Sequence, residues 1–198
     1  MNKSIRTCGL LVALAIAFSA AAFAQYDDQP GSKFSAFVGL YSPPTGALRE
    51  GGSLWKSFGV GYSLQSDAAG RPTLYLSADY KGAQKNSFTG SCISLTAMKL
   101  FHSNPESEEA TSGLYYGAGV SANLLDEKID AQPFQIPPID ADNASGTAFG
   151  ITAVGGYDFG SSFYAELRYS LMSKLTSDLG EDVDFGGLAV FVGTRSLF

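Results

Sequence analysis

The sequence predicts an all-β chain: an eight-stranded antiparallel up-and-down β-barrel that crosses a membrane with its strands. Three observations carry this expectation. Hydrophobicity alternates with period two in eight segments, and Gly, Pro, Asn and Asp clusters separate them. One face of each segment is rich in Leu, Val, Phe and Tyr, whereas the other is mostly Gly, Ser and Ala with a few charges. The connections between segments alternate between longer and shorter.

The first residues are read apart from the barrel. "MNKSIRTCGLLVALAIAFSAAAFAQ" carries Lys3 and Arg6, then an apolar run, then Ala22, Phe23 and Ala24 before Gln25. This is the pattern of a secretory signal cut after Ala24, so residues 1–24 are expected to be removed and residues 25–198 to form the barrel. Cys8 lies at the head of the apolar run rather than behind the cleavage site, which argues against a lipoprotein. Beyond the signal, Cys92 is the remaining cysteine, and His102 the one histidine. An internal disulfide and a zinc site are therefore both excluded, and no cofactor is expected. Formal charge is −6 for the whole chain, and loss of the two cations Lys3 and Arg6 takes it to −8. An acidic surface of this kind disfavours nucleic acid as a partner.

The segments follow in order. In "KFSAFVGLY", Phe34, Ala36, Val38 and Leu40 oppose Ser35, Phe37 and Gly39. "SFGVGYSLQ" sets Phe58, Val60, Tyr62 and Leu64 against Ser57, Gly59, Gly61, Ser63 and Gln65. "TLYLSADY" gives Leu74, Leu76, Ala78 and Tyr80 against Tyr75, Ser77 and Asp79. "SCISLTAMKLF" opposes Ile93, Leu95 and Ala97 to Ser94 and Thr96, with Lys99 interrupting the apolar face near one end.

The second half alternates more regularly. "GLYYGAGVSANLL" places Leu114, Tyr116, Ala118, Val120, Ala122 and Leu124 on one face, with Tyr115, Gly117, Gly119, Ser121 and Asn123 opposite. "AFGITAVGGYDF" offers Phe149, Ile151, Ala153 and Tyr157, and "SFYAELRYSL" offers Phe163, Ala165, Leu167, Tyr169 and Leu171 against Tyr164, Glu166, Arg168 and Ser170. The last segment, "FGGLAVFVGTRSLF", sets Leu188, Val190, Val192 and Phe198 against Gly187, Ala189, Gly193 and Arg195.

Eight such strands suit two architectures. A soluble barrel turns its apolar face inward around a ligand, as lipocalins do, and a membrane barrel turns it outward to lipid. Small residues on the opposite face fit the interior of a narrow eight-stranded tube. Tyr41, Tyr62, Tyr80, Tyr157 and Tyr169 stand near strand ends, where interfacial girdles lie. The odd-numbered links ("SPPTGALREGGS", "KGAQKN", "DEKIDAQPFQIPPIDADNASG", "MSKLTSDLGEDVD") are longer on the whole than "SDAAGRP", "HSNPESEEATS" and "DFGSS". That matches long external loops and short periplasmic turns, with "HSNPESEEATS" as the exception. Closure requires the last strand to pair with the first, because lipid cannot bond an exposed edge.

The terminal Phe198, Gly193 and the apolar Val190 and Val192 resemble the C-terminal signal that outer-membrane barrels present to their assembly machinery, from which Thr194 and Ser196 depart. "GLYYGAGVSANLL" and "GITAVGGYDFGSSFYAELRYS" resemble the second half of the small OmpA-like and opacity-type β-barrel family. That resemblance covers about half the chain. It implies a non-enzymatic barrel in the cell outer membrane, with lipid, lipopolysaccharide and the barrel assembly machinery as partners, and a structural or adhesive role toward a surface ligand or host.

Several constellations bear on chemistry. "GAGVSA" matches a loose dinucleotide fingerprint, but its glycines continue the two-residue alternation and no helix follows. "FHSN" resembles the His-x-Ser-Asn motif of lipid A deacylases, so a lipid-modifying hydrolase is an alternative. His102 and Ser103 are adjacent, however, and on a strand would face opposite ways. The plainer expectation is a turn with a solvated histidine. Asp79, Glu166, Arg168 and Arg195 all fall on the inward face, where opposite charges satisfy one another and plug the lumen. The fifth link carries Asp126, Glu127, Asp130, Asp140 and Asp142 without the spacing of an EF-hand. Phe134, Ile136 and Ile139, beside Pro137 and Pro138, form a candidate recognition surface on that external loop. Asn143, Ala144 and Ser145 fit a glycosylation sequon.

Overall fold

A computed structural model describes residues 34–44, 48, 53–67, 69–85, 87–103, 112–131, 141–160 and 162–195. The expected signal, loop residues Phe134, Ile136 and Ile139, and Phe198 lie outside the described residues.

Alternation at period two puts successive side chains on opposite sides of a pleated strand, and eight of the described strands close on themselves. They are β1 (Phe34–Ser42), β2 (Trp55–Ser66), β3 (Pro72–Lys85), β4 (Phe88–His102), β5 (Gly113–Ile129), β6 (Asp142–Phe159), β7 (Phe163–Met172) and β10 (Gly187–Thr194). Two short strands, β8 (Leu175–Thr176) and β9 (Asp182–Val183), make a separate hairpin inside the last long link. The barrel order is β1-β10-β7-β6-β5-β4-β3-β2, each pair antiparallel, so the chain meanders up and down and β10 closes against β1. That seam runs from Ala36 opposite Thr194 to Ser42 opposite Leu188.

Every barrel strand presents an exposed apolar side chain on the outside: Val38, Phe58, Leu76, Leu95, Val120, Ile151, Leu167 and Val190. Phe58, Leu167 and Val190 are 46%, 48% and 50% exposed, which places the apolar face outward and the Gly, Ser and polar face in the lumen. Tyr62, Tyr80, Tyr157 and Tyr169 follow that outward face. Tyr41 does not: it is 1% exposed and points inward. The reason is its odd position in β1, in step with Ser35, Phe37 and Gly39, so proximity to a strand end was a poorer guide than parity.

Strand length also differs from the segments read in the sequence. β5 has 17 residues and β6 has 18, where a strand needs only roughly 9–11 to cross a bilayer. The excess lies at the long-loop end, where β5 pairs with β6 as far as Ile129 opposite Asp142. Asp126 and Glu127 are therefore strand residues rather than loop residues, and Glu127 is buried in the lumen. At the opposite end the β6–β7 turn is short, with Gly160 at φ 75° in the left-handed region that suits glycine.

Candidate functional site

The lumen gathers the charged and polar side chains, and the inward positions of β3, β5, β6, β7 and β10 form it in tiers. At the long-loop end an aromatic lid covers it. Tyr41, Trp55, Phe88 and Phe185 are all fully buried, with Trp55 packed edge-on against Tyr41 and Phe185 at 5.6 and 6.2 Å between ring centres. Phe185 belongs to the last long link, and the Tyr41 hydroxyl holds that link with its single O–H shared between the carbonyls of Phe185 and Gly186, each at 2.6 Å. Leu48, from the first long link, is completely buried in the same cluster.

Beneath the lid lies the first charged tier. Arg168 Nε donates to Glu166 Oε1, Arg168 Nη1 lies 3.7 Å from Asp79 Oδ1, and Lys81 Nζ lies 3.1 Å from Asp79 Oδ2. Two cations thus meet two carboxylates, each group at most 5% exposed. Further hydrogen bonds fix the geometry: Arg168 Nη1 to Ser77 Oγ at 3.1 Å, Lys81 Nζ to Ser94 Oγ at 2.9 Å, and Tyr115 Oη to Glu166 Oε2 at 2.8 Å. The guanidinium also lies 4.9 Å from the ring centres of both Phe37 and Phe191, an arrangement in which the ring faces attract the cation. Ser94, Thr96, Ser121, Asn123, Thr152 and Ser170 line a small polar cavity beside it.

The second tier closes the short-turn end. Arg195 Nε donates to Asp158 Oδ1 at 2.8 Å, and its guanidinium stands 4.3 Å from the Tyr164 ring centre and 5.1 Å from that of Tyr115. Asp67, in the β2–β3 turn, accepts from Arg71 Nε at 2.8 Å and from the amides of Ala69 and Arg71. His102 sits between these pairs. Its Nε2 is 3.5 Å from Asp158 Oδ2 and its Nδ1 is 3.9 Å from Asp67 Oδ2, and its side chain is 1% exposed.

Of the four lumen charges expected from the sequence, Asp79, Glu166 and Arg168 share one tier, while Arg195 occupies the other. Tyr115 joins the two, bonded to Glu166 and stacked under Arg195. Inward parity of Lys81 on β3 and Asp158 on β6 was available in the sequence: Lys81 lies one residue past the segment read as the third strand, and Asp158 lies inside the sixth. His102 is not a solvated turn residue: β4 runs as far as this position, and even parity there points inward. Ser103, one step on, is exposed on the other side. No nucleophile and base are thereby brought together at this pair. Among the described residues, no group of three or more His, Cys, Asp or Glu side chains is disposed to hold a metal ion. Gly193 faces the lumen opposite Tyr164, and its neighbour Arg195 donates its amide to the Ser162 carbonyl at 2.8 Å. Cys92 is a buried free thiol beside Ser94.

Comparison with solved structures finds the same architecture. The chain is similar to the N-terminal β-barrel domain of Pseudomonas aeruginosa OprF, with 16% identity and a TM-score of 0.51 over 83% of this chain and 98% of that one. Neisserial surface protein A is matched at 16% identity and a TM-score of 0.48, over 85% of this chain and 100% of that one. The likeness to the OprF domain shows the fold. No family model matches the sequence, and no curated protein matches it either.

Proposed function

We propose that this chain is a non-enzymatic barrel of the bacterial outer membrane, exported by a signal cut after Ala24, with a structural or adhesive role in the cell envelope. The observation that carries this reading is the outward apolar belt, to which all eight barrel strands contribute exposed Leu, Ile, Val or Phe. Apolar surface on this scale is unfavourable in water and matches hydrocarbon. An aromatic fringe supports it, with exposed Phe101, Tyr116, Tyr157, Phe159 and Phe163 gathered toward the short turns. The same inside-out pattern speaks against a lipocalin-like carrier, which needs its apolar side chains in the lumen.

In this reading the short turns face the periplasm, and the long β5–β6 ribbon and its loop stand outside. Lipid and lipopolysaccharide surround the belt, Gly193 and Phe198 serve recognition by the barrel assembly machinery, and Phe134, Ile136 and Ile139 on the external loop meet a surface ligand or host partner. The filled lumen supports a scaffold rather than a wide pore, since two charged tiers and an aromatic lid obstruct it. The opposed directions of His102 and Ser103 support the non-enzymatic assignment.

The test is fractionation of producing cells with protease treatment of intact cells. Expected are outer-membrane recovery that resists alkaline carbonate, cleavage within residues 126–146, and protection of residues 158–162. Release in a detergent-free osmotic-shock extract would overturn the proposal. Replacing Ser103 with Ala is expected to leave the lipid A acyl profile unchanged.

A further inference from the structure

His102 occupies the centre of a chain of charges that crosses the short-turn mouth of the barrel. From one wall the β2–β3 turn contributes Asp67 and Arg71; from the other, β6 contributes Asp158 and the end of β10 contributes Arg195. Tyr115 of β5 packs beside the imidazole, with ring centres 5.6 Å apart. Among the described residues the cluster sets two carboxylates and two guanidiniums around the histidine.

The ring nitrogens face different carboxylates. Asp158 gives Oδ1 to Arg195 and turns Oδ2 toward His102 Nε2, and that oxygen has no hydrogen-bond partner among the described residues. Asp67 turns Oδ2, already shared with Arg71, toward Nδ1. Neither ring nitrogen makes a hydrogen bond at these separations. A neutral imidazole has one N–H and one lone pair, so in either tautomer a lone pair must confront a carboxylate oxygen. Only the imidazolium has a donor for each.

We infer that His102 is a proton-operated clasp across this mouth, binding Asp67 and Asp158 together when its ring is doubly protonated and releasing one of them when it is neutral. The proton comes from solvent at the mouth, where Asp67 and Arg195 are each 11% exposed, and adds to whichever nitrogen carries the lone pair. Histidine is the side chain whose charge ordinarily changes between pH 5 and 8. Closing it draws the β2–β3 turn toward the β6 and β10 ends across the lumen. This goes beyond the envelope role proposed above, because it concerns the barrel's own mouth and holds whatever the external loops bind.

The chain contains one histidine, so its ring signals in a nitrogen-15 spectrum need no assignment by mutation. The experiment records those signals and backbone amide exchange of the protein in phospholipid nanodiscs from pH 5 to 8. The amides of Ala69 and Arg71, which donate to Asp67, and of Ser103 and Arg195 report the clasp. As the ring loses its proton, their protection should fall about fivefold or more beyond the ordinary base-catalysed trend. His102→Gln should show no such step. Should that variant fail to fold, coincidence of the two wild-type transitions still decides the matter. A ring that does not titrate in this range, a titration that leaves these amides unaffected, or the same step in His102→Gln would overturn the inference.

Discussion

Tyr115 faces Gly156 across the β5–β6 ladder, and its ring fills the space that a β-carbon on that glycine would occupy. The relationship recurs around the lumen: Phe191 covers Gly39, Phe37 covers Gly59, and Tyr164 covers Gly193. A narrow barrel can take large inward rings only where the adjacent strand supplies no side chain. Gly156→Ala should therefore push the Tyr115 ring aside and disturb its bond to Glu166, costing about 1–3 kcal/mol as overpacking does. Gly155 faces outward with nothing within 4 Å of an added β-carbon, so Gly155→Ala should stay within about 0.5 kcal/mol. Urea unfolding in lipid vesicles, followed by fluorescence of the single tryptophan Trp55, measures both.

That pairing explains what the sequence could and could not disclose. Alternation within a segment reveals which residues share a face, and closure then follows from the even strand count and two-sided patterning. Alternation says nothing of which glycine lies under which ring, because that depends on register between strands. Nor does it reveal where a strand stops. Glu127 and His102 read as loop residues because their polar surroundings look like a turn, although the ladder continues through both. Tyr41 shows the reverse: it stands near a strand end, as a girdle residue would, yet its parity turns it into the lumen. The hairpin β8–β9 was invisible for a related reason: its two residues per strand give no periodicity, and it is held by contacts with β6 such as the Asp178 amide to the Asn143 carbonyl.

The Arg168 tier should behave as a unit. Asp79 retains Lys81 if Arg168 is lost, but Glu166 would keep only the Tyr115 hydroxyl. Arg168→Met should therefore cost about 3–5 kcal/mol, the usual effect of stranding a buried charge. Adding Glu166→Gln removes that charge while preserving an oxygen for Tyr115, so the double variant should regain most of the loss. The same unfolding assay tests this, and purely additive losses would contradict coupling.

Tyr41→Phe should loosen the lid. The hydroxyl serves two buried carbonyls of the last long link, so its removal leaves both without this donor at a cost of about 1–3 kcal/mol. The effect should be local, since the ring itself still packs on Trp55. Protease cleavage within residues 173–186 should accelerate by roughly fivefold or more, the ratio that corresponds to a loss of 1 kcal/mol or more. Unfolding of the barrel as a whole should change less.

A charge placed on the outward belt distinguishes hydrocarbon from water as the surrounding medium. Val190 is half exposed and lies midway along the closing strand, opposite Leu40 on one side and Leu167 on the other. If bilayer covers that surface, Val190→Arg should cost about 2–4 kcal/mol, and the same change at Thr194, toward the strand end, about 0–1. In water, a substitution at the exposed Val190 would stay within about 0.5 kcal/mol. The depth dependence matters more than the size of either number, because a general packing defect would not fade toward the strand end. Equal effects at the two positions would remove the membrane assignment while leaving the barrel itself intact.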